Sequence, residues 1–229
     1  MTREGPPPSR RPLLALTQGD PAGIGPEILL RLLSRSPETA PRTLLLVAER
    51  AALEAVRDTV PGLAWERLHF LPGIPDNRTE LVGLEGEERI LVVDPVGERR
   101  RITLGESGPG DAAGALAALN VGIALAQSGT ADALVTAPLS KASIARHQQP
   151  GFTGHTEYLA AAAGLERYGR DYLMAFLAPD LKVALLSTHL PLRAALDQVH
   201  RRAVLDALRC LERHGAPGKS SVGRIAVAG

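Results

Sequence analysis

The sequence predicts an α/β fold built on a parallel sheet, and three observations carry that expectation. Short apolar runs recur along the chain, each followed by a polar or glycine-rich turn and then by a helical pattern. The side chains with the most chemistry follow those runs, where ligands sit in open α/β sheets. The chain has 229 residues with 45% hydrophobic content, enough to bury one large core or two small ones.

The first unit is the run Leu13–Leu16, the turn T-Q-G-D-P-A-G-I-G-P-E, and a helix from Glu27 to Ser34 with Pro26 suited to its first turn. The second is Thr43–Ala48 leading into a helix from about Arg50 to Arg57. Between Pro61 and Gly110 the pattern shifts to short alternating runs. Ile90–Val93 and Arg101–Leu104 read there as a hairpin or edge excursion, with Arg99–Arg101 at a solvated tip and phosphate binding as its alternative. Asp111 is expected to cap a helix that runs to Gln127, rich in small residues that allow close packing, and Gly129 stops it.

A domain boundary is placed near Gly129. It gives a disordered tail over residues 1–12, a first α/β domain over 13–129 and a second over 130–229. The second domain would hold a strand at Ala133–Val135, a helix after Glu157 and a strand at Val183–Leu186. A long helical pattern follows from Arg193 to Arg213, ended by Gly215, and then a last buried strand over Arg224–Gly229.

Charge narrows the function classes. The 26 basic and 25 acidic side chains leave +1, which offers no electrostatic footprint for nucleic acid or an anionic membrane. The basic start M-T-R-E-G-P-P-P-S-R-R-P is followed only by Leu13–Leu16, too short for a signal-peptide core or a membrane span, so a cytoplasmic protein is expected. Cys210 lies in a helical apolar pattern beside Leu208 and Leu211 and reads as a buried structural thiol.

The chemistry concentrates in residues 136–157, T-A-P-L-S-K-A-S-I-A-R-H-Q-Q-P-G-F-T-G-H-T-E, where Lys141, His155 and Thr156 read as the working residues. Lys141 has the chemistry to hold a phosphate or relay a proton, with a solvated lysine as the plain alternative. The turn G-D-P-A-G-I-G-P-E at 19–27 lets backbone amides approach a ligand at a helix N-terminus, or is simply a tight turn. Asp20 and Glu27 could serve there as acid, base or supporting groups. It is neither a Walker loop nor G-x-G-x-x-G, and no G-x-S-x-G occurs. His155 and His189 each lie in a Thr-bearing loop after a strand candidate, suited to metal or substrate. Read from the residues alone, the two would share one metal.

Five segments in order, G-D-P-A-G-I-G-P-E (19–27), T-A-P-L-S-K (136–141), F-T-G-H-T-E (152–157), S-T-H-L-P-L (187–192) and the final A-V-A-G, resemble the 4-hydroxythreonine-4-phosphate dehydrogenase family of vitamin B6 biosynthesis. The resemblance implies an isocitrate/isopropylmalate dehydrogenase-like fold, with two α/β/α domains, a cleft active site and a homodimer that shares its sites. It implies oxidation of 4-phosphooxy-L-threonine at C3 by NAD or NADP, followed by loss of carbon dioxide to give 3-amino-2-oxopropyl phosphate. Carried onto this sequence, His155 and Thr156 would contact substrate. His189 would bind a divalent metal (zinc, magnesium, manganese or cobalt) able to stabilise the developing alkoxide and the enolate. Lys141 and Asp20 match family motifs, and we expect them to line the cleft as catalytic groups. No residue is assigned to the cofactor.

The sequence departs from the family at its C-terminus. The family continues with an N-P-H-A-G-E segment and a later Y-H-D-Q segment, to which the resemblance assigns two further histidine ligands, one from the partner subunit. Neither occurs in these 229 residues, so the expectation is a C-terminally truncated member in which His189 alone binds metal weakly. Two alternatives stand beside it: a related dehydrogenase of another phosphorylated four-carbon hydroxy acid, and a non-catalytic remnant that binds a ligand.

Overall fold

A computed structural model describes residues 11–34, 43–63, 65–81, 84, 89–178, 180–214 and 225–227. The chain divides into two compact units, Met1–Phe152 and Thr153–Gly229. The first carries a five-stranded, wholly parallel sheet: β1 (Leu13–Thr17), β2 (Thr43–Val47), β3 (Leu68–Phe70), β4 (Ile90–Val93) and β5 (Ala133–Thr136), in the order β3-β4-β2-β1-β5. Its helices are α1 (Gly25–Ser34), α2 (Arg50–Ala55), α3 (Pro109–Gln127) and α4 (Lys141–His147).

Strand periodicity sorts this unit into three layers. Leu16, Leu46, Ile90 and Val92 face one side of the sheet and pack with Leu29, Leu30 and Leu33 of α1 and Leu53 of α2. Leu13, Ala15, Leu45, Val47, Leu91 and Val93 face the other and pack with Ala118 and Leu125 of α3. Burial on both faces is why these strands read as continuous apolar runs rather than alternating ones. Among the described residues α3 is the one helix long and apolar enough to cross a bilayer, but Ala112, Ala115, Ala118, Leu119 and Leu125 are buried in the fold, as expected of a core helix.

The small residues of α3 let it sit close to the sheet. A Cβ on Gly122 would stand 2.6 Å from Thr17 Cγ2 and 2.7 Å from Leu134 Cδ1. The helix starts at Pro109, two residues before the expected cap. Asp111 lies in its first turn and reaches back to accept the Gly108 N–H at 2.9 Å. Gly129 ends the helix in the left-handed conformation, φ 74°.

Several expectations are corrected. The strand after Gly129 does not open a second unit: β5 pairs with β1, and the division falls at Phe152. Ile90–Val93 is no hairpin arm but the fully buried strand β4 between β2 and β3, and Arg101–Leu104 forms no strand. Arg100 is not a solvated tip, because its guanidinium turns in to the carboxylates of Glu49 and Asp111. Residues 1–10 of the expected tail lie outside the described residues, while Pro12 already accepts the Thr43 N–H at 2.9 Å.

The second unit contains α5 (His155–Ala162), the antiparallel pair β6 (Ala175–Leu177) and β7 (Lys182–Ala184), α6 (Leu192–Asp197) and α7 (Arg201–His214). The helical pattern from Arg193 to Arg213 is therefore two helices. His200 separates them by accepting the Ala203 N–H on Nδ1 at 3.2 Å, a capping role invisible to apolar periodicity. Cys210 is buried as a free thiol, as expected. Ile225–Val227 is not in a strand, and the rest of the expected last strand lies outside the described residues, as does Gly215.

Candidate functional site

In the first unit the sheet grows from β1 through β2, β4 and β3 on one side and resumes with β5 on the other. The strand order therefore reverses between β1 and β5, where ligand crevices form in such sheets. The two loops leaving the carboxyl ends of these strands are the motifs 19–27 and 136–141. They pack directly on one another, the Asp20 N–H donating to Pro138 O at 2.9 Å. Gly19 holds φ 70°, and a Cβ there would lie 2.0 Å from Pro138 O. One on Gly25 would lie 1.9 Å from Gln18 O. Both glycines thus answer to close backbone packing within a tight turn.

Asp20 is 8% exposed, and its Oδ1 accepts the Ala22 N–H at 3.0 Å, closing an Asx-type turn. Lys141 is exposed at the first position of α4, whose cap is Ser140, the hydroxyl accepting the Ser143 N–H. Among the described residues the Lys141 ammonium has no hydrogen bond or ion pair, so it is available to a ligand. Glu27 instead pairs with Arg31 at 2.7 Å along α1.

Behind the Asp20 turn lies a polar network that the sequence did not reveal. The Gln18 side chain is fully buried and clamps Glu49 from both ends, Nε2 donating to Oε1 at 3.0 Å and Oε1 accepting the Glu49 N–H at 2.8 Å. Glu49, also fully buried, takes a two-pronged hydrogen bond from Arg100, Nε to Oε2 at 2.6 Å and Nη2 to Oε1 at 3.0 Å. Arg100 Nη1 donates to Asp111 at 2.7 Å. The Glu49 carboxylate raises the Arg100 pKa above its already high ordinary value, so the guanidinium is permanently charged.

In the second unit, His155 and Thr156 open α5 behind Gly154, which holds φ 137°, and both are half-buried. Thr153 Oγ1 donates to Glu157 at 3.3 Å. His189 is exposed and holds φ 55°, a left-handed conformation uncommon for a residue with a Cβ and the kind of strain that clusters at binding sites. A cavity of about 370 Å³ is lined by Glu157 of the first motif and by Ser187, Thr188 and Leu190 of the second, so both motifs border one space, although His155, Thr156 and His189 are not themselves among its lining residues. Tyr168 sets its wall, its hydroxyl donating to Leu185 O at 2.8 Å and accepting the Met174 N–H at 3.3 Å. Tyr172 stacks edge-on against it. Burial, helped by the Glu157 charge, pushes the Tyr172 phenol up. Arg167 and His200 also line the cavity and were not singled out from sequence.

The residues expected to act thus fall into two sets, Asp20 with Lys141 on the first unit and His155, Thr156 and His189 on the second. Among the described residues no group of three His, Cys, Asp or Glu side chains could hold a metal ion, so His189 offers a single ligand and not a complete set.

Comparison with known proteins gives the family. The profile of "Pyridoxal phosphate biosynthetic protein PdxA" matches residues 42–229. The chain is 34% identical to a 4-hydroxythreonine-4-phosphate dehydrogenase of Zymomonas mobilis, over 86% of this chain and 54% of that protein. It is 37% identical to another of Acidithiobacillus ferrooxidans, over 88% and 56%. A D-threonate 4-phosphate dehydrogenase of Bordetella bronchiseptica is 34% identical over 88% and 54%. Among solved structures, the 4-hydroxythreonine-4-phosphate dehydrogenase of Klebsiella pneumoniae superposes with a TM-score of 0.68 at 27% identity, over 88% of this chain and 58% of that one. The chain spans about half the length of the curated relatives it matches.

Proposed function

We propose that this chain, which belongs to the pyridoxal phosphate biosynthetic protein PdxA family, serves the NAD(P)-linked oxidation of 4-phosphooxy-L-threonine at C3. Hydride leaves C3 for the nicotinamide, the C3 hydroxyl proton goes to a base, and the resulting β-keto acid loses carbon dioxide to give 3-amino-2-oxopropyl phosphate. The observation that carries this reading is the cavity bordered by both the G-H-T-E and S-T-H-L-P-L loops. His155 and Thr156 are proposed to hold the substrate. Lys141 and Asp20, on the turns at the sheet's reversal point, are proposed as its proton-handling groups. His189 is proposed as one ligand of a divalent metal, which when bound would stabilise negative charge on the C3 oxygen. No residue is assigned to NAD or NADP.

The fold reading that accompanies this is the isocitrate/isopropylmalate dehydrogenase-like one, with two α/β/α domains. A homodimer is part of the proposal. It is supported by the apolar surface of the second unit, where Phe176, Leu177, Leu181 and Leu192 are 60–79% exposed. The compartment proposed is the cytoplasm.

Calorimetry with 4-phosphooxy-L-threonine, together with nicotinamide reduction in the presence of added zinc, magnesium, manganese or cobalt, tests the reading. Metal-dependent turnover supports it. Turnover with D-threonate 4-phosphate and not with 4-phosphooxy-L-threonine would move the assignment to a related hydroxy-acid phosphate dehydrogenase, the activity named for the Bordetella relative. Binding without turnover would favour a ligand-binding role, and neither binding nor turnover rejects the proposal.

A further inference from the structure

We propose that Arg100 is a positioning residue for the Gly19–Asp20 turn, acting through Glu49 and Gln18. Gln18 immediately precedes Gly19; its backbone N–H donates to Val47 O at 3.0 Å, and among the described residues its side chain is held through Glu49, just past the end of β2. On the other side of Gly19, the Asp20 N–H is tethered to Pro138 beyond the end of β5. The turn is thus stretched between the two strands that flank β1, and its conformation depends on both tethers.

The side-chain part of the β2 tether depends on Arg100. Glu49 is a fully buried carboxylate whose side-chain donors are the Gln18 amide and the two arms of the Arg100 guanidinium. A buried carboxylate stripped of its cation is strongly disfavoured and relaxes by admitting water or taking a proton. Glu49 has no room to retreat towards α3, because a Cβ on Gly114 would already stand 1.9 Å from its Oε1. Relaxation must therefore open the Gln18–Glu49 clamp, and with it the side-chain anchor of the turn. Arg100 is itself held from behind by Asp111 at the start of α3. It also lines a groove of about 280 Å³ with Arg50 and Asp94, through which small solutes can reach it.

The inference rests on the reading that the Asp20 turn forms part of the ligand crevice, but its test needs no substrate. Amide hydrogen exchange of Asp20 and Ala22, both bonded within the turn, is compared with that of Leu46 and Val92 in the core strands. In Arg100→Ala the two turn amides should exchange about tenfold faster or more relative to the core amides. Guanidinium chloride added well below denaturing concentrations should reverse the effect by refilling the vacated site. Leu33→Ala, a core truncation at the far end of α1, should show no such selectivity. If the alanine variant does not fold, Arg100→Lys, which keeps the charge and loses the fork, carries the same comparison. Turn amides that keep step with the core amides, or a loss that guanidinium leaves unrepaired, overturn the proposal. Failure of the dehydrogenase reading would appear instead as absent turnover in the unsubstituted chain.

Discussion

Gly114 and Glu49 are in such close contact that any side chain on the helix residue would collide with the carboxylate: a Cβ at Gly114 lies 1.9 Å from Glu49 Oε1 and 3.2 Å from Arg100 Nη2. The glycine is what lets α3 press against a buried ion pair without displacing it. Gly114→Ala should therefore destabilise the first unit by about 3 kcal/mol, combining overpacking with disturbance of the buried charge network. Urea denaturation followed by circular dichroism measures this, and a loss below about 1 kcal/mol would mean that α3 simply shifts.

The same reasoning ranks two other glycines. At Gly122 the obstructing atoms are a Thr17 methyl and the end of the Leu134 side chain, which can move. At Gly19 the obstruction is the Pro138 backbone carbonyl, 2.0 Å away, and the left-handed φ of 70° adds strain for any residue with a Cβ. Gly19→Ala should cost more stability than Gly122→Ala, by about 1–2 kcal/mol. Parallel denaturation curves that place the two in the opposite order would refute the ranking.

What the sequence made legible follows from how local each signal is. β1, β2 and the helix α3 were readable because a strand buried on both faces writes an apolar run and a close-packed helix writes small residues. β5 was legible as a strand from its apolar run, but it is not the buried strand that run suggests, since Ala133 and Val135 are exposed at the sheet edge. The neighbours of β4 were not readable, since parallel pairing is set by distant segments, and a short run near glycines resembles a hairpin arm. In the site, the loops of Asp20 and Lys141 were visible as motifs, as were those of His155 and His189. Arg100 was not, because Arg99, Arg100 and Arg101 look alike until the fold turns one of them towards Glu49. The division between units was misplaced because Gly129 ends a helix as plainly as it would end a domain. Only the pairing of β5 with β1 tells the two apart.

The break between α6 and α7 makes a compact prediction. His200 accepts the Ala203 N–H and stands where Ser, Asn or Asp usually caps a helix. His200→Ala should cost about 1 kcal/mol, whereas His200→Asn should cost a few tenths at most. Thermal denaturation of the two variants separates a capping role from mere surface exposure.

Tyr172 links the cavity wall to pH. Its phenol is raised above the ordinary tyrosine value near 10, first by burial and then by the Glu157 charge. A raised folded-state pKa contributes stability that is fully present below the unfolded value and is lost as pH rises through the folded one. The Tyr172 contribution should therefore vanish only in strong alkali, and Tyr172→Phe should flatten that part of the stability profile. Glu157→Gln should lower the Tyr172 pKa part of the way and leave it above the ordinary value, because burial is the larger cause. Ultraviolet titration of tyrosinate in the two variants reads this directly.

The proposed division of labour between the two histidines is open to a matched pair of substitutions. His155 begins α5 half-buried, as suits a group that donates to a charged substrate, while His189 is exposed on a strained backbone, as suits a group offered to a metal. His155→Ala should weaken binding of 4-phosphooxy-L-threonine about tenfold to a hundredfold whether or not metal is present, the loss expected for a hydrogen bond to a charged group. His189→Ala should leave metal-free binding within about twofold, a change under half a kcal/mol, and should remove the enhancement produced by added metal. Calorimetric titration of both variants with and without metal reads the difference. Equal losses for the two would mean that both histidines serve the same ligand, as the residues alone first suggested.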